Sequence, residues 1–190
     1  MLLPFREHLD FGPTPYDLLQ QKEGIPIVRG NVVNDVTTME LGKWARMGVL
    51  GCYLNLSNQQ RTDAYVCEIP PSSQTLPQRH LFEEIVYVAK GRGATSVWQD
   101  EKSKVTFEWG PGAIFAIPLN STYIHFNGSG SEPIRLFVGT TCPAMINIFH
   151  NEDFIFRNPF NFRDRLHEGD EFLRYNKHVT DRYWETNLVP

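Results

Sequence analysis

Two short stretches hold the residue types that chemistry needs. "QRHLFEEIVYVAKGRG", residues 78–93, carries His80 and the adjacent carboxylates Glu83 and Glu84. "PLNSTYIHFN", residues 118–127, carries Tyr123, His125 and Asn127. Side chains on an extended chain alternate between two faces, so residues of like parity project together. Gln78, His80 and Glu84 therefore point one way and Glu83 the other. Tyr123, His125 and Asn127 share a face by the same rule. A small barrel that turns both sets inward brings two imidazoles and a carboxylate into one lumen. Such a set suits a divalent transition metal and leaves positions open for other ligands. Plainer readings stand beside this one. His80 can be a core imidazole bonded to a backbone carbonyl, Glu84 the partner of Arg79 or Arg92, and His125 a ring packed among Tyr123, Phe126 and Phe115.

The segments around these residues read as strands. "IPIV", "LGCYLNL", "AYVCEI", "EIVYVA", "ATSVWQ", "KVTFEW", "AIFAIP", "YIHFN" and "IRLFVGT" are rich in β-branched and aromatic residues. Turn formers such as "PPSSQ", "KGRG", "GPG" and "NGSGSEP" separate them. In "KVTFEW", Val105, Phe107 and Trp109 alternate with Thr106 and Glu108, the pattern of a half-buried strand. Many short strands with no long helical period between them predict an antiparallel sandwich or barrel. One helix precedes them. In "GPTPYDLLQQKEG", Thr14 can cap, Pro15 suits the first helical position, Asp17 completes a capping box and Gly24 ends the helix. The last forty residues interleave aromatics with charges of both signs, and "HEGDEFLRYNKH" has room for a short helix. The expected division is a lead with the helix over residues 1–30, a β-barrel over 31–148 and an aromatic-rich arm over 149–190.

The two chemical stretches resemble the paired motifs of the cupin superfamily. The first cupin motif runs Gly-x5-His-x-His, three or four residues, Glu, six residues, Gly. Gln78, His80, Glu84 and Gly91 stand at its positions, with Gln78 in place of the first His. The second runs Gly-x5-Pro-x-Gly-x2-His-x3-Asn. Gly112, Pro118 and Asn127 match, Asn120 replaces the second Gly, and Tyr123 stands where the pattern has its His, two residues before His125. The resemblance covers roughly residues 60 to 145. It implies an all-β, double-sheet, jelly-roll-like barrel with its site in the lumen. It also implies one divalent transition metal, iron favoured, with manganese, zinc, nickel and copper as alternatives. The ligands expected are His80, Glu84 and His125. Tyr123 would donate a proton or hydrogen bond, and Gln78 would orient substrate or water.

The expected function is thus a metal-dependent enzyme acting on a small organic molecule, first an oxidoreductase of the dioxygenase type. A non-redox isomerase, lyase or cyclase is the second form, and a metal-free cupin that binds a small ligand without catalysis is the third. Composition narrows the partners. A formal net charge of −4 carries no basic footprint for nucleic acid. The longest uncharged stretch, "GPGAIFAIPLNSTYIHFNGSGS", is broken by Gly, Pro, Asn and His, and no membrane contact is expected. The N-terminus lacks an apolar signal region, and Cys52, Cys67 and Cys142 are scattered, so free thiols in the cytoplasm are expected. Phe154, Phe156, Phe160, Phe162, Phe172 and Trp184 in the charged arm predict that it covers the barrel or a partner in a homodimer.

Overall fold

The computed structural model describes residues 12–57 and 61–162. Its first element is helix α1, Pro15–Glu23. The Thr14 hydroxyl accepts from the Asp17 N–H, the Asp17 carboxylate accepts from the Thr14 N–H, and Gly24 ends the helix. Tyr16 and Leu19 turn inward, and the Tyr16 hydroxyl donates to Asp63 at 2.8 Å, tying the helix to the barrel.

Eleven strands follow among the described residues. They are β1 (Ile27–Gly30), β2 (Gly42–Trp44), β3 (Val49–Leu56), β4 (Asp63–Ile69), β5 (Ser73–Gln74), β6 (Glu84–Lys90), β7 (Gly93–Trp98), β8 (Val105–Trp109), β9 (Ile114–Ile117), β10 (Thr122–Asn127) and β11 (Ile134–Thr140). One sheet has the order β1-β3-β4-β11-β6-β9, with β2 added beside β3. The other has the order β5-β10-β7-β8. The double-sheet all-β barrel expected from the sequence is thus present. All pairings are antiparallel except that of β1 with β3, which sets Ile27 opposite Tyr53. The lead therefore contributes a strand as well as a helix.

Alternation decides what enters the lumen. Tyr123, His125 and Asn127 of β10 are buried while Thr122, Ile124 and Phe126 are half-buried, and on β6 Glu84, Val86 and Val88 face in while Ile85 and Tyr87 face out. Strands β3 and β4 are apolar on both faces. The reason is a second small core, in which Val33, Val36, Met39 and Leu41 cover Cys52, Leu54, Ala64 and Val66 from outside. Arg135 fastens that cover by donating to the carbonyls of Val36 and Met39 at 3.1 Å each.

The motif glycines have conformational reasons. Gly91 has φ 86°, and a Cβ there would lie 2.9 Å from Ile134 Cγ1. Asn120, at a glycine position of the second motif, has φ 56°, a left-handed conformation that Asn tolerates better than most residues. Asn127, the last residue of that motif, donates to the carbonyls of Ile69, Pro70 and Glu132 at 2.9–3.0 Å and so clamps two loops.

After β11 come helices α2 (Cys142–Phe149) and α3 (Glu152–Phe156) and a strap that runs to residue 162. The strap crosses one end of the barrel. Leu81 N–H donates to the Ile155 carbonyl at 3.0 Å, Arg79 to the Phe160 carbonyl at 3.1 Å and Asn120 to the Asn158 carbonyl at 3.1 Å. Phe156 and Phe162 pack against the core, whereas Phe154 and Phe160 are exposed. The helix expected in "HEGDEFLRYNKH", with Phe172 and Trp184, lies outside the described residues. All three cysteines are free and buried. Among the described residues no helix is long and apolar enough to cross a membrane.

Candidate active site

Four side chains from both sheets meet inside the barrel near the strap. Glu84 opens β6, where it pairs with Ile117 of β9 and Thr140 of β11. Tyr65 comes from β4 of the same sheet and Tyr123 from β10 of the other. His80 sits in the crossing between the sheets, two residues after Gln78, whose backbone bridges to Tyr123. All four are at most 4% exposed, so water does little to screen or satisfy them.

The Glu84 carboxylate is the hub. Its Oε1 accepts the Tyr65 hydroxyl at 2.9 Å and its Oε2 the Tyr123 hydroxyl at 2.8 Å. His80 Nε2 lies 3.2 Å from Glu84 Oε2 and 3.3 Å from Tyr123 Oη. The other ring nitrogen, Nδ1, donates to the Phe82 carbonyl at 3.0 Å. Phe82 also lies flat on the imidazole, with ring centroids 3.7 Å apart. Burial by itself raises the Glu84 pKa, but the positive charge of His80 and hydrogen bonds from His80, Tyr123 and Tyr65 outweigh it and hold the carboxyl below its ordinary value. Burial, then the Glu84 charge, push both phenols well above their ordinary value. With the Tyr123 hydrogen spent on Glu84, both oxygens facing His80 Nε2 are acceptors. Without a cation in the cluster, a proton on Nε2 satisfies them.

His125 belongs to a different group. Its Nδ1 lies 2.7 Å from Thr95 Oγ1, and the same hydroxyl oxygen accepts the Trp109 indole N–H at 2.8 Å. The pairing that satisfies all three gives the threonine hydrogen to Nδ1 and leaves the imidazole proton on Nε2. Trp109, Phe115 and Tyr123 surround the ring. Burial depresses its pKa to about 4, so the ring is neutral at physiological pH.

Gln78 is committed elsewhere. Its Oε1 accepts from Arg46 Nη1 at 2.9 Å, and its Nε2 donates to the carbonyls of Arg46 and Leu76 at 3.0 and 3.1 Å. Arg46 also pairs with Glu23, a carboxylate that accepts from Trp44 Nε1 at 2.7 Å and from the Tyr53 hydroxyl.

The expectations from sequence divide accordingly. Parity places Tyr123 and His125 on one inner face, and His80 does meet Glu84. The His80, Glu84, His125 set does not assemble, because two residues along β10 carry His125 over to Thr95 and Trp109. Among the described residues no three His, Cys, Asp or Glu side chains converge as a metal-binding group. Tyr123 supplies the third corner, and Gln78 faces Arg46 rather than the cluster. The sequence did not single out Tyr65, Thr95 or Arg46. The strand parity that sets Tyr65 beside Cys67 and Ile69 is the one signal that points Tyr65 inward.

The donor set fits a transition ion in its chemistry. One imidazole nitrogen, one carboxylate oxygen and one phenol oxygen lie 2.8–3.3 Å from each other. Atoms sharing one ion at bonds of about 2.0–2.2 Å stand roughly 2.8–3.6 Å apart. The bond from His80 Nδ1 to a backbone carbonyl is also the arrangement that orients a ligating imidazole.

On the outer face of this end of the sheet, where Ile85 and Ala116 point away from the lumen, lies a surface pocket of about 520 Å³. Ile85, Ala116, Ile117, Pro118 and Leu119 give it apolar walls, with Asp63, Glu84 and Thr140 among the polar residues.

One comparison with known proteins shows the family. The family profile described as Cupin matches residues 53–165, more than half of the chain. Among solved structures, the cupin domain of Schizosaccharomyces pombe Cnp3 is 16% identical, with a TM-score of 0.48 over 58% of this chain and 68% of that one. The polyketide cyclase RemF from Streptomyces resistomycificus is 22% identical, with a TM-score of 0.47 over 58% of this chain and 79% of that one. Vicilin from Solanum lycopersicum is 21% identical, with a TM-score of 0.45 over 49% of this chain and 28% of that one. Likenesses this distant carry nothing about chemistry. A comparison with curated protein sequences finds no match.

Proposed function

The chain belongs to the cupin family, and from that premise we propose that it is an enzyme that acts on a small organic molecule with the help of one transition metal ion. The observation behind this is the convergence of His80 Nε2, Glu84 Oε2 and Tyr123 Oη within 2.8–3.3 Å of one another in a buried site. A bound ion supplies Lewis acidity and, if it is iron, one-electron chemistry.

The remaining work falls to the side chains. Tyr65 holds the Glu84 carboxylate through Oε1, and Phe82 holds the His80 ring. Neutral His125 presents an N–H donor on the same face of β10 as Tyr123. An oxidoreductase of the dioxygenase type is the preferred form, since imidazole with anionic oxygen donors suits iron. An isomerase, lyase or cyclase working through a Lewis acid is the alternative among enzymes.

A second reading has its own support. The cluster is fully hydrogen-bonded with a proton in place of an ion, as befits a metal-free cupin that binds a small ligand. Elemental analysis after incubation with iron, manganese, zinc, nickel and copper separates the two. About one ion per chain is the expected result, and oxygen uptake by the iron-loaded protein with candidate substrates then tests the redox form. A protein that takes up none of the five ions sinks the enzyme reading and leaves the ligand-binding one.

A further inference from the structure

We propose that Tyr123 is itself a metal ligand, binding ferric iron as a phenolate together with His80 Nε2 and Glu84 Oε2. The inference rests on the reading that the cluster holds a transition ion, and it names the ligand and the kind of ion.

Each neighbouring donor is accounted for. His80 Nδ1 is engaged with the Phe82 carbonyl, so Nε2 is the nitrogen that faces the cluster. Glu84 Oε1 belongs to Tyr65, which leaves Oε2 as the oxygen shared with His80 and Tyr123. The Gln78 amide is consumed by Arg46 and the Leu76 carbonyl. His125 is held by Thr95, whose oxygen already accepts from Trp109, and the tautomer this selects turns N–H rather than a lone pair out of Nε2. To coordinate, His125 would have to switch tautomer and break this relay, whereas His80 Nε2 and Tyr123 Oη have only to give up protons that already point at the shared Glu84 oxygen. Tyr123 needs no such movement. Its oxygen already stands 3.3 Å from His80 Nε2 and 2.8 Å from Glu84 Oε2, within the spacing of two atoms on one ion.

The donor set also selects the ion. A phenolate and a carboxylate are hard, anionic oxygen donors, which match a small, highly charged cation better than a soft one. As iron binds, the Tyr123 phenol proton and the proton on His80 Nε2 pass to the departing citrate, and the phenolate oxygen and the imidazole nitrogen bond the iron in their place. Ferric iron on a phenolate absorbs visible light by charge transfer from the ring, and exciting that band enhances tyrosinate ring vibrations in the Raman spectrum.

The test uses the full chain loaded with ferric citrate, then desalted. Wild type should retain about one iron per chain and show the band with tyrosinate vibrations. Tyr123→Phe should lose the band and bind iron at least about tenfold more weakly. Tyr123→His keeps a ligand at that corner, so it should retain iron without the band, which guards against a Phe variant that fails to fold. His125→Ala should keep both iron and band. Iron-loaded wild type without the band, a band that survives Tyr123→Phe, or loss of iron in a folded His125→Ala protein would each overturn the assignment while leaving a metal enzyme standing. Wild type that binds no iron and none of the other four ions overturns both.

Discussion

Phe82 lies flat on His80, with the two ring planes 2° apart and their centroids separated by 3.7 Å, and Phe156 meets the far side of the pair edge-on at 5.8 Å from Phe82. The orientation of a candidate ligand thus depends on a residue of α3, seventy-six positions later in the chain than His80. Together with the bond from His80 Nδ1 to the Phe82 carbonyl, the stack leaves Nε2 one direction to face. Phe82→Ala should cost about 3–5 kcal/mol of stability, as for other buried Phe truncations, and weaken metal uptake as well. Phe156→Ala should cost less, because the residue is half-buried, while still loosening the site. Urea denaturation and metal titration of both variants check this. Unchanged metal affinity in a folded Phe82→Ala protein would refute the orienting role.

Asn120 joins backbone conformation to strap attachment. Its φ of 56° favours glycine, yet its amide donates to the carbonyls of Asn158 and Phe160 at 3.1 and 2.6 Å. Ala cannot make those bonds and is strained there by about 1–2 kcal/mol, whereas Gly loses only the bonds. The order of stability should be wild type, then Asn120→Gly, then Asn120→Ala. Hydrogen exchange should quicken at residues 158–162 in both variants. Ala proving more stable than Gly would contradict the account.

Arg46 and Glu23 form an ion pair whose Glu23 side chain is only 7% exposed. Removing one partner of such a pair leaves the other charge stranded, so Arg46→Met should destabilise by about 3 kcal/mol. Adding Glu23→Gln should recover much of that loss. Chemical denaturation of the two singles and the double gives the coupling directly, and simple additivity would show that the pair carries no net interaction.

Asp63 gives a pH dependence with a definite sign. Burial raises its pKa from 3.8 to about 6, against hydrogen bonds from Tyr16, the Ala64 backbone and Gln20 that lower it. The folded carboxyl therefore keeps its proton after the unfolded one has lost it. Its favourable contribution is fully present below pH 3.8 and is lost as pH rises to about 6. After allowance for solvent screening the loss is about 1–2 kcal/mol. Asp63→Asn should be more stable than wild type at pH 7 and equal to it near pH 4. Urea midpoints across that range decide it, and a variant weaker at pH 7 than at pH 4, relative to wild type, would reverse the sign.

The sequence by itself determined the local structure and the inward faces. Thr14, Pro15, Asp17 and Gly24 specify α1 because a helix end is satisfied by atoms a few residues away. Alternation on β10 turns Tyr123, His125 and Asn127 inward because strand geometry repeats every two residues. Gly91 and Asn120 mark left-handed turns because few residues adopt that conformation. Only the tertiary structure decided which inward residues meet. Tyr65 and Tyr123 come from different sheets, and nothing in either strand encodes the register that sets both phenols on Glu84. Two residues of like parity on one strand stand about 6.6 Å apart, which suffices to give Tyr123 to Glu84 and His125 to Thr95. Parity reports the face a side chain takes. Where along the barrel it finds a partner depends on long-range pairing, and here that pairing exchanged an expected imidazole for a phenol.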